Sequence, residues 1–228
     1  MSSTPDAAVL ADALSTPRPA RSAEVGQAPR TDRGRRTRRR LLDAAAVVFA
    51  RDGFLDTKIT DIAAEAKVSS GTFYNYFETK EAIFTAVIQQ TIERLFLAAS
   101  VPPETDRSPL VRIETATRNY LLAYREHAGL LAILEQVATF NADFREMRRE
   151  IRQTFRNRTS RGIARMQQQG IVDASLPAQC TAEALTSMVS NFCYVSLVLG
   201  EDYDHEEAVR TLTTLWARGI GLDLAGGR

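Results

Sequence analysis

The chain has only two cysteines, Cys180 and Cys193, and two histidines, His127 and His205, among its 228 residues. Two cysteines are too few for a disulfide framework or a cysteine zinc site, and the histidines lie far apart. No metal and no cofactor is expected. Long apolar runs are missing as well. The longest, Ala44 to Ala50, is seven residues, where a membrane helix needs roughly 18–20. The first 30 residues carry no continuous apolar segment, so no secretory signal is expected. There is no glycine-rich phosphate loop. Cys193 and His127 form the one Cys/His pair worth weighing, and spacing sets no orienting carboxylate beside them. These absences argue against an enzyme. What remains is 44% hydrophobic and 25% charged, an ordinary globular balance in a chain long enough for one large domain or two small ones. The totals point to a soluble, cytosolic protein with no membrane partner.

Lysine is scarce, at Lys58, Lys67 and Lys80 alone, so the positive charge is almost all arginine. Net charge is only +1, but its distribution is lopsided. Residues 30–42 hold seven arginines against Asp32, a local charge of +6, while residues 81–228 hold 16 basic and 18 acidic residues. A basic run by itself is ordinarily a solvated tail. Here the pattern that follows it matters more.

Residues 1–30 are rich in Ala, Pro and Ser without a period and read as a disordered leader. From about Arg35 to Arg51 the period becomes helical, through Leu41, Leu42, Ala45, Val48 and Phe49, and Gly53 stands where a left-handed cap would. Ile59, Ile62, Ala63 and Ala66 give a second, short stripe, begun by Thr57 or Lys58, with Asp61 suited to the helix dipole. Lys67-Val68-Ser69 interrupts it. Ser69 or Ser70 can cap a third helix in which Phe73 and Phe77 face one way and Thr72, Asn75 and Tyr76 largely the other. Thr79 caps a fourth, reaching about Ser100 before Pro102-Pro103. Two short helices joined by a three-residue turn beside an arginine cluster make a helix-turn-helix signature. Further helices are expected over 109–126, 129–139, 141–169, 177–199 and 204–220. Sustained period-two alternation is missing, so the fold class is all-α.

The run Ile62-Ala63-x-x-Ala66-x-Val68-Ser69-x-Gly71-Thr72-Phe73-Tyr74-x-Tyr76-Phe77-x-x-Lys80-Glu81-x-Ile83-Phe84 resembles the DNA-binding domain of the tetracycline-repressor (TetR) family of bacterial regulators. The resemblance covers about residues 36–85 and implies four segments. These are an Arg-rich disordered leader (1–34), a helix-turn-helix DNA-binding domain (35–82), a helical effector-binding and dimerisation domain (83–222) and a tail (223–228). It implies that Ser70, Thr72 and Asn75 face base edges, with Ser69 and Gly71 letting the backbone come close. Tyr74 and Tyr76 would reach the phosphate backbone, Thr60 and Lys58 would lie near it, and Lys80 would hold a phosphate at the start of the fourth helix. The ordinary alternative for Tyr74 is packing.

The sequence departs from the family pattern twice. Position 67, commonly glycine, is Lys67, where a left-handed conformation costs roughly 1–2 kcal/mol. The leader is longer than usual, and Arg33, Arg35 and Arg36 are read as an arm in the adjacent minor groove.

By the same resemblance the protein is a dimer on palindromic double-stranded DNA, in the cytoplasm and associated with the nucleoid. Leu185, Met188, Val189, Phe192, Val209, Leu212 and Trp216 would form its interface. A small-molecule effector would sit among Tyr120, Tyr124, Phe140, Phe144, Phe155, Asn191 and Tyr194, and the few buried-looking polar groups favour a largely apolar one. The arginine-rich face from Arg145 to Arg165 reads as a solvated face laced with ion pairs, or, more sharply, as a site for an anionic ligand. Repression is the family's majority behaviour. The alternatives are an activator of the same fold and a helical adaptor that binds no DNA.

Overall fold

A computed structural model describes residues 31–101, 108–201 and 203–223, so most of the expected leader and tail lies outside the described residues. Everything regular within them is helical. The helices are α1 (Asp32–Asp56), α2 (Ile59–Glu65), α3 (Ser70–Tyr74), α4 (Lys80–Ala98), α5 (Pro109–Phe140), α6 (Ala142–Gln168), α7 (Ala178–Leu197) and α8 (His205–Gly219).

Caps set most of the starts. Thr31 Oγ1 accepts from Gly34 N (3.1 Å), Ser69 Oγ from Thr72 N (3.1 Å), Thr79 Oγ1 from Ala82 N (3.0 Å) and Asp204 Oδ1 from Glu207 N (2.8 Å). The cap at Thr31 starts α1 earlier than periodicity suggests. Arg33, Arg35 and Arg36 therefore wind into its first two turns, so the residues read as an arm are helical, and the disordered leader expected over 1–34 does not extend to them. Gly53 breaks α1 near its end with φ +75° and ψ 177°, and the break turns Phe54 inward. The helices expected over 109–126 and 129–139 are one continuous helix, α5. Gly129 costs that helix only about 1 kcal/mol relative to alanine, and it lies where α5 passes α1, 4.0 Å from Ala50 Cβ when given a Cβ of its own.

The main core starts beneath the helix-turn-helix and continues without interruption into the larger helical body. Leu41, Val48, Phe49, Ile62, Phe73 and Phe84 are fully buried in it. Four rings join the two ends. Phe49 and Phe54 of α1 meet Phe84 of α4 at 4.9 and 5.1 Å, and Phe144 of α6 closes on Phe54 and Phe84 at 5.6 and 5.2 Å. A smaller core of Ile163, Val172, Ala182, Leu185 and Ile220 lies apart from it. There Gly221 (φ +72°) passes so close to Asp173 that a Cβ would come within 2.8 Å of it.

Candidate nucleic-acid interface and effector cavity

The turn between α2 and α3 takes a left-handed geometry that suits glycine, with a lysine in place. Lys67 takes φ +53°. Val68 N donates to Ala63 O and Lys67 N to Ala64 O, both at 2.9 Å, the paired bonds of a Schellman cap on α2. Arg40 of α1 reaches over this turn and donates to Ala66 O and, at 3.4 Å, to Lys67 O. This brace could not be found by spacing, because its partners lie 26 and 27 residues away.

Within α3 the inward residue is Phe73, with Phe77 following beyond the helix; both are buried. Arg38 of α1 stacks over the Phe77 ring at 5.2 Å. Ser69, Gly71, Tyr74 and Asn75 are exposed, whereas Ser70, Thr72 and Tyr76 are half-buried. Tyr74 is 55% exposed, which removes the packing alternative for it. The Thr72 hydroxyl lies 3.0 Å from Ser69 Oγ, so the cap also orients a side chain facing outward. In α2, Thr60 and Lys58 are exposed; Asp61 accepts from Lys58 N (3.3 Å), which fixes the helix start.

Lys80, expected to hold a phosphate, makes contacts within the chain. Its Nζ donates to Leu55 O (3.0 Å) and Thr57 O (2.9 Å) and stands 4.8 Å from the Phe54 ring centroid. α1 ends at Asp56, so those carbonyls have no helical partners, and the ammonium satisfies them. Lys80 thus ties α4 to the end of α1.

Arg33, Arg35 and Arg36 are exposed on the first two turns of α1, with Asp32 paired to Arg35. Cations at a helix N-terminus oppose the helix dipole. Such a cluster is suited to face an anion.

Behind this surface lies a cavity of about 570 Å³, within the range of small-molecule sites. It is walled by α4, α5, α6, α7 and α8, mostly by Ile92, Leu95, Leu131, Leu134, Ile151 and Met166. Of the residues expected around an effector, Tyr120, Tyr124 and Phe155 line it. The others do not, each for a physical reason. Phe140 ends α5 and is 57% exposed, Phe144 is consumed by the ring cluster, Asn191 faces outward, and Tyr194 lies off the wall. Burial pushes the Tyr120 and Tyr124 phenols well above their ordinary pKa. The buried Cys193 thiol is pushed up to about 12, which leaves it without nucleophilic character at neutral pH.

The expected interface residues divide. Leu185, Val209 and Leu212 are buried within the chain, and Val189 and Trp216, half-buried, line the cavity. Met188 and Phe192 are half-buried. The outward apolar residues are instead Leu199 (60% exposed), Leu215 (50%) and Tyr203 (47%), whose ring meets Phe192 at 5.2 Å. Sequence periodicity finds a helix's apolar faces but cannot say which of two covers the core.

A short capped helix presenting hydroxyl, amide and phenol groups, braced by a second helix and beside an arginine cluster, defines a helix-turn-helix DNA-binding regulator. Comparison with known proteins agrees. Residues 41–87 match the model of bacterial regulatory proteins of the tetR family, and residues 113–221 match the C-terminal domain of the transcriptional regulator EthR. The two matches together take in more than half of the chain, which belongs to the TetR family.

The EthR regulator of Mycolicibacterium smegmatis is 25% identical over 205 residues, covering 84% of this chain and 93% of that protein. The repressor KstR2 of Rhodococcus jostii is 28% identical over 127 residues, or 50% of this chain and 61% of its own. A Syntrophomonas wolfei protein assigned to the TetR family shares the fold in its crystal structure. Its TM-score is 0.69 at 22% identity, covering 83% of this chain and 97% of that one. Among the described residues no helix is long and apolar enough to cross a membrane.

Proposed function

We propose that this regulator is a ligand-responsive repressor that binds a palindromic operator as a symmetric dimer and leaves it when a small, largely apolar effector fills the cavity. The observation that carries the reading is the pairing of an outward α3 face with a mostly apolar cavity among the helices behind it. The Rhodococcus relative is named a repressor, which favours repression over activation. Ser70, Thr72 and Asn75 would read base edges, Tyr74, Tyr76, Thr60, Lys58 and Lys67 would meet the backbone, and Arg33, Arg35 and Arg36 would meet phosphates from the start of α1. Release requires that the effector bind the DNA-free arrangement more tightly, since equal affinity for both shifts nothing. The test is selection of bound duplexes from a random pool at defined salt. An inverted repeat with half-sites about one helical turn apart is expected. Enrichment of no sequence over the starting pool overturns the reading and restores the helical adaptor.

A further inference from the structure

The cavity's walls are apolar, but its charges are unbalanced. Among the described residues its lining includes Arg112, Arg148, Arg152, Arg158 and Arg165 against one acid, Glu135. Arg148 is neutralised by Glu135 at 2.6 Å and Arg152 by Glu183 at 2.8 Å. Arg158 is not. Its guanidinium donates to Phe96 O and Ala99 O, both at 3.0 Å, and stacks 4.6 Å over the Phe96 ring. These partners are dipoles and a quadrupole, and no carboxylate pairs with it among the described residues. Burial accordingly lowers its pKa with no acidic group to oppose the shift, though an arginine remains charged. Seven residues along the same helix, Arg165 lines the cavity, and its side chain makes no hydrogen bond or ion pair among the described residues. Nearby, Tyr124 is 95% buried, and its hydroxyl has no hydrogen-bond partner among the described residues.

A charge taken out of water without a counterion is costly, and such groups are ordinarily paired. We infer that the cavity's effector is an amphiphilic anion, an apolar body ending in a carboxylate, and that Arg158 is the residue that receives the carboxylate. The inference rests on the cavity being the effector site, and it gives the largely apolar effector a charged end. A bidentate pair with a carboxylate is stronger than hydrogen bonds to neutral carbonyls. The ligand therefore competes for the fork that holds Phe96 O and Ala99 O at the C-terminus of α4. Loss of those bonds removes a cation from the negative end of that helix dipole. The apolar wall of Leu131, Leu134, Ile151 and Phe155 would take the chain.

The test compares matched ligands. The full-length protein is titrated calorimetrically with fatty acids from octanoate to palmitate and with n-alkanols of the same lengths. The acids are expected to bind about tenfold more tightly than the matched alcohols, a difference of about 1.4 kcal/mol. Arg158→Gln should bring the two series to near parity, and Arg158→Lys, which keeps the charge, should preserve most of the preference. Loss of an α4 cap alone would weaken both series together and leave their ratio unchanged. Equal binding of acids and alcohols by the unsubstituted protein overturns the inference while leaving the cavity as a lipophilic effector site. An acid preference that survives Arg158→Gln also overturns it. If neither series binds at any length, the effector-site reading falls with it. The measurement on the unsubstituted protein decides the first and last outcomes even if Arg158→Gln fails to fold.

Discussion

Phe144 of α6 stands edge-on to Phe84 of α4, ring centroids 5.2 Å apart, and also meets Phe54 beyond the break in α1. One side chain from the cavity-bearing body is therefore packed among the rings that support the DNA-binding helices. Phe144→Ala should cost about 3–5 kcal/mol, the usual range for truncating a buried phenylalanine. Phe140→Ala, four residues earlier but exposed, should stay within about 0.5 kcal/mol. Urea unfolding followed by far-ultraviolet dichroism and by the fluorescence of Trp216 measures both. The shared ring cluster leads us to expect coincident transitions. Two separated transitions would show that the rings do not couple the halves.

The turn carries a second prediction. Lys67 adopts a backbone conformation that suits glycine, and Arg40 donates to two carbonyls of that turn. Lys67→Gly should gain about 0.5–1 kcal/mol, the left-handed strain less the extra entropy glycine loses on folding. Arg40→Ala should lose about 1 kcal/mol. If the Lys67 ammonium touches a phosphate, the glycine variant also binds DNA with a salt slope smaller by about one. A variant both less stable and unchanged in slope would count against each half of this account.

The start and character of α3 were legible in the sequence because capping and packing there act over three or four residues. Ser69 caps Thr72, and Phe73 and Phe77 point inward as their spacing requires. The intrachain contacts of Lys80 were not legible, for the opposite reason. Its partners, Leu55 O and Thr57 O, lie where α1 ends, and no local pattern announces free carbonyls 23 to 25 residues away. The cavity was half legible. Tyr120, Tyr124 and Phe155 line it, but Phe144 has the same aromatic character and is spent on the core. Which wall a helix shows to a void depends on tertiary packing, and that is not encoded at any fixed spacing.

Base reading and backbone contact should separate on α3. Asn75 is exposed and caps nothing by its side chain, so Asn75→Ala should leave stability within about 0.5 kcal/mol. It should weaken binding to a selected operator by about 1–3 kcal/mol while non-specific binding hardly changes. Tyr74→Phe removes only a hydroxyl and should weaken both to a similar extent. Equal losses on specific and scrambled duplexes for Asn75→Ala would move it from the bases to the backbone.

Replacing Arg33, Arg35 and Arg36 together by Gln removes three cations from the first two turns of α1, where the helix dipole disfavours them. Stability should therefore hold or rise slightly. If all three meet phosphates, the slope of log K against log salt should shrink by about 2.7, three times the 0.9 per neutralised phosphate of B-DNA. Intact slope with the variant would return the cluster to a solvated surface.

Leu215 is 50% exposed on α8, and Leu199, just beyond the end of α7, is 60% exposed. A single exposed leucine needs no explanation. Leu215 on α8 together with Leu199 and Tyr203 in the connection before it suits an isologous interface, where each copy presents the same patch to the other. The buried Val209 and Leu212 hold α8 against the chain itself. Their substitution would damage the fold before it tested any dimer. Leu215→Glu avoids that confusion, because it adds a charge at a site already in water in the single chain. It should leave the unfolding curve of the isolated subunit nearly unchanged while placing two like charges near the symmetry axis. Sedimentation equilibrium should then show a shift from dimer to monomer, and binding to an inverted repeat should fall towards the affinity of one half-site. A variant that remains dimeric would place the axis elsewhere on the molecule.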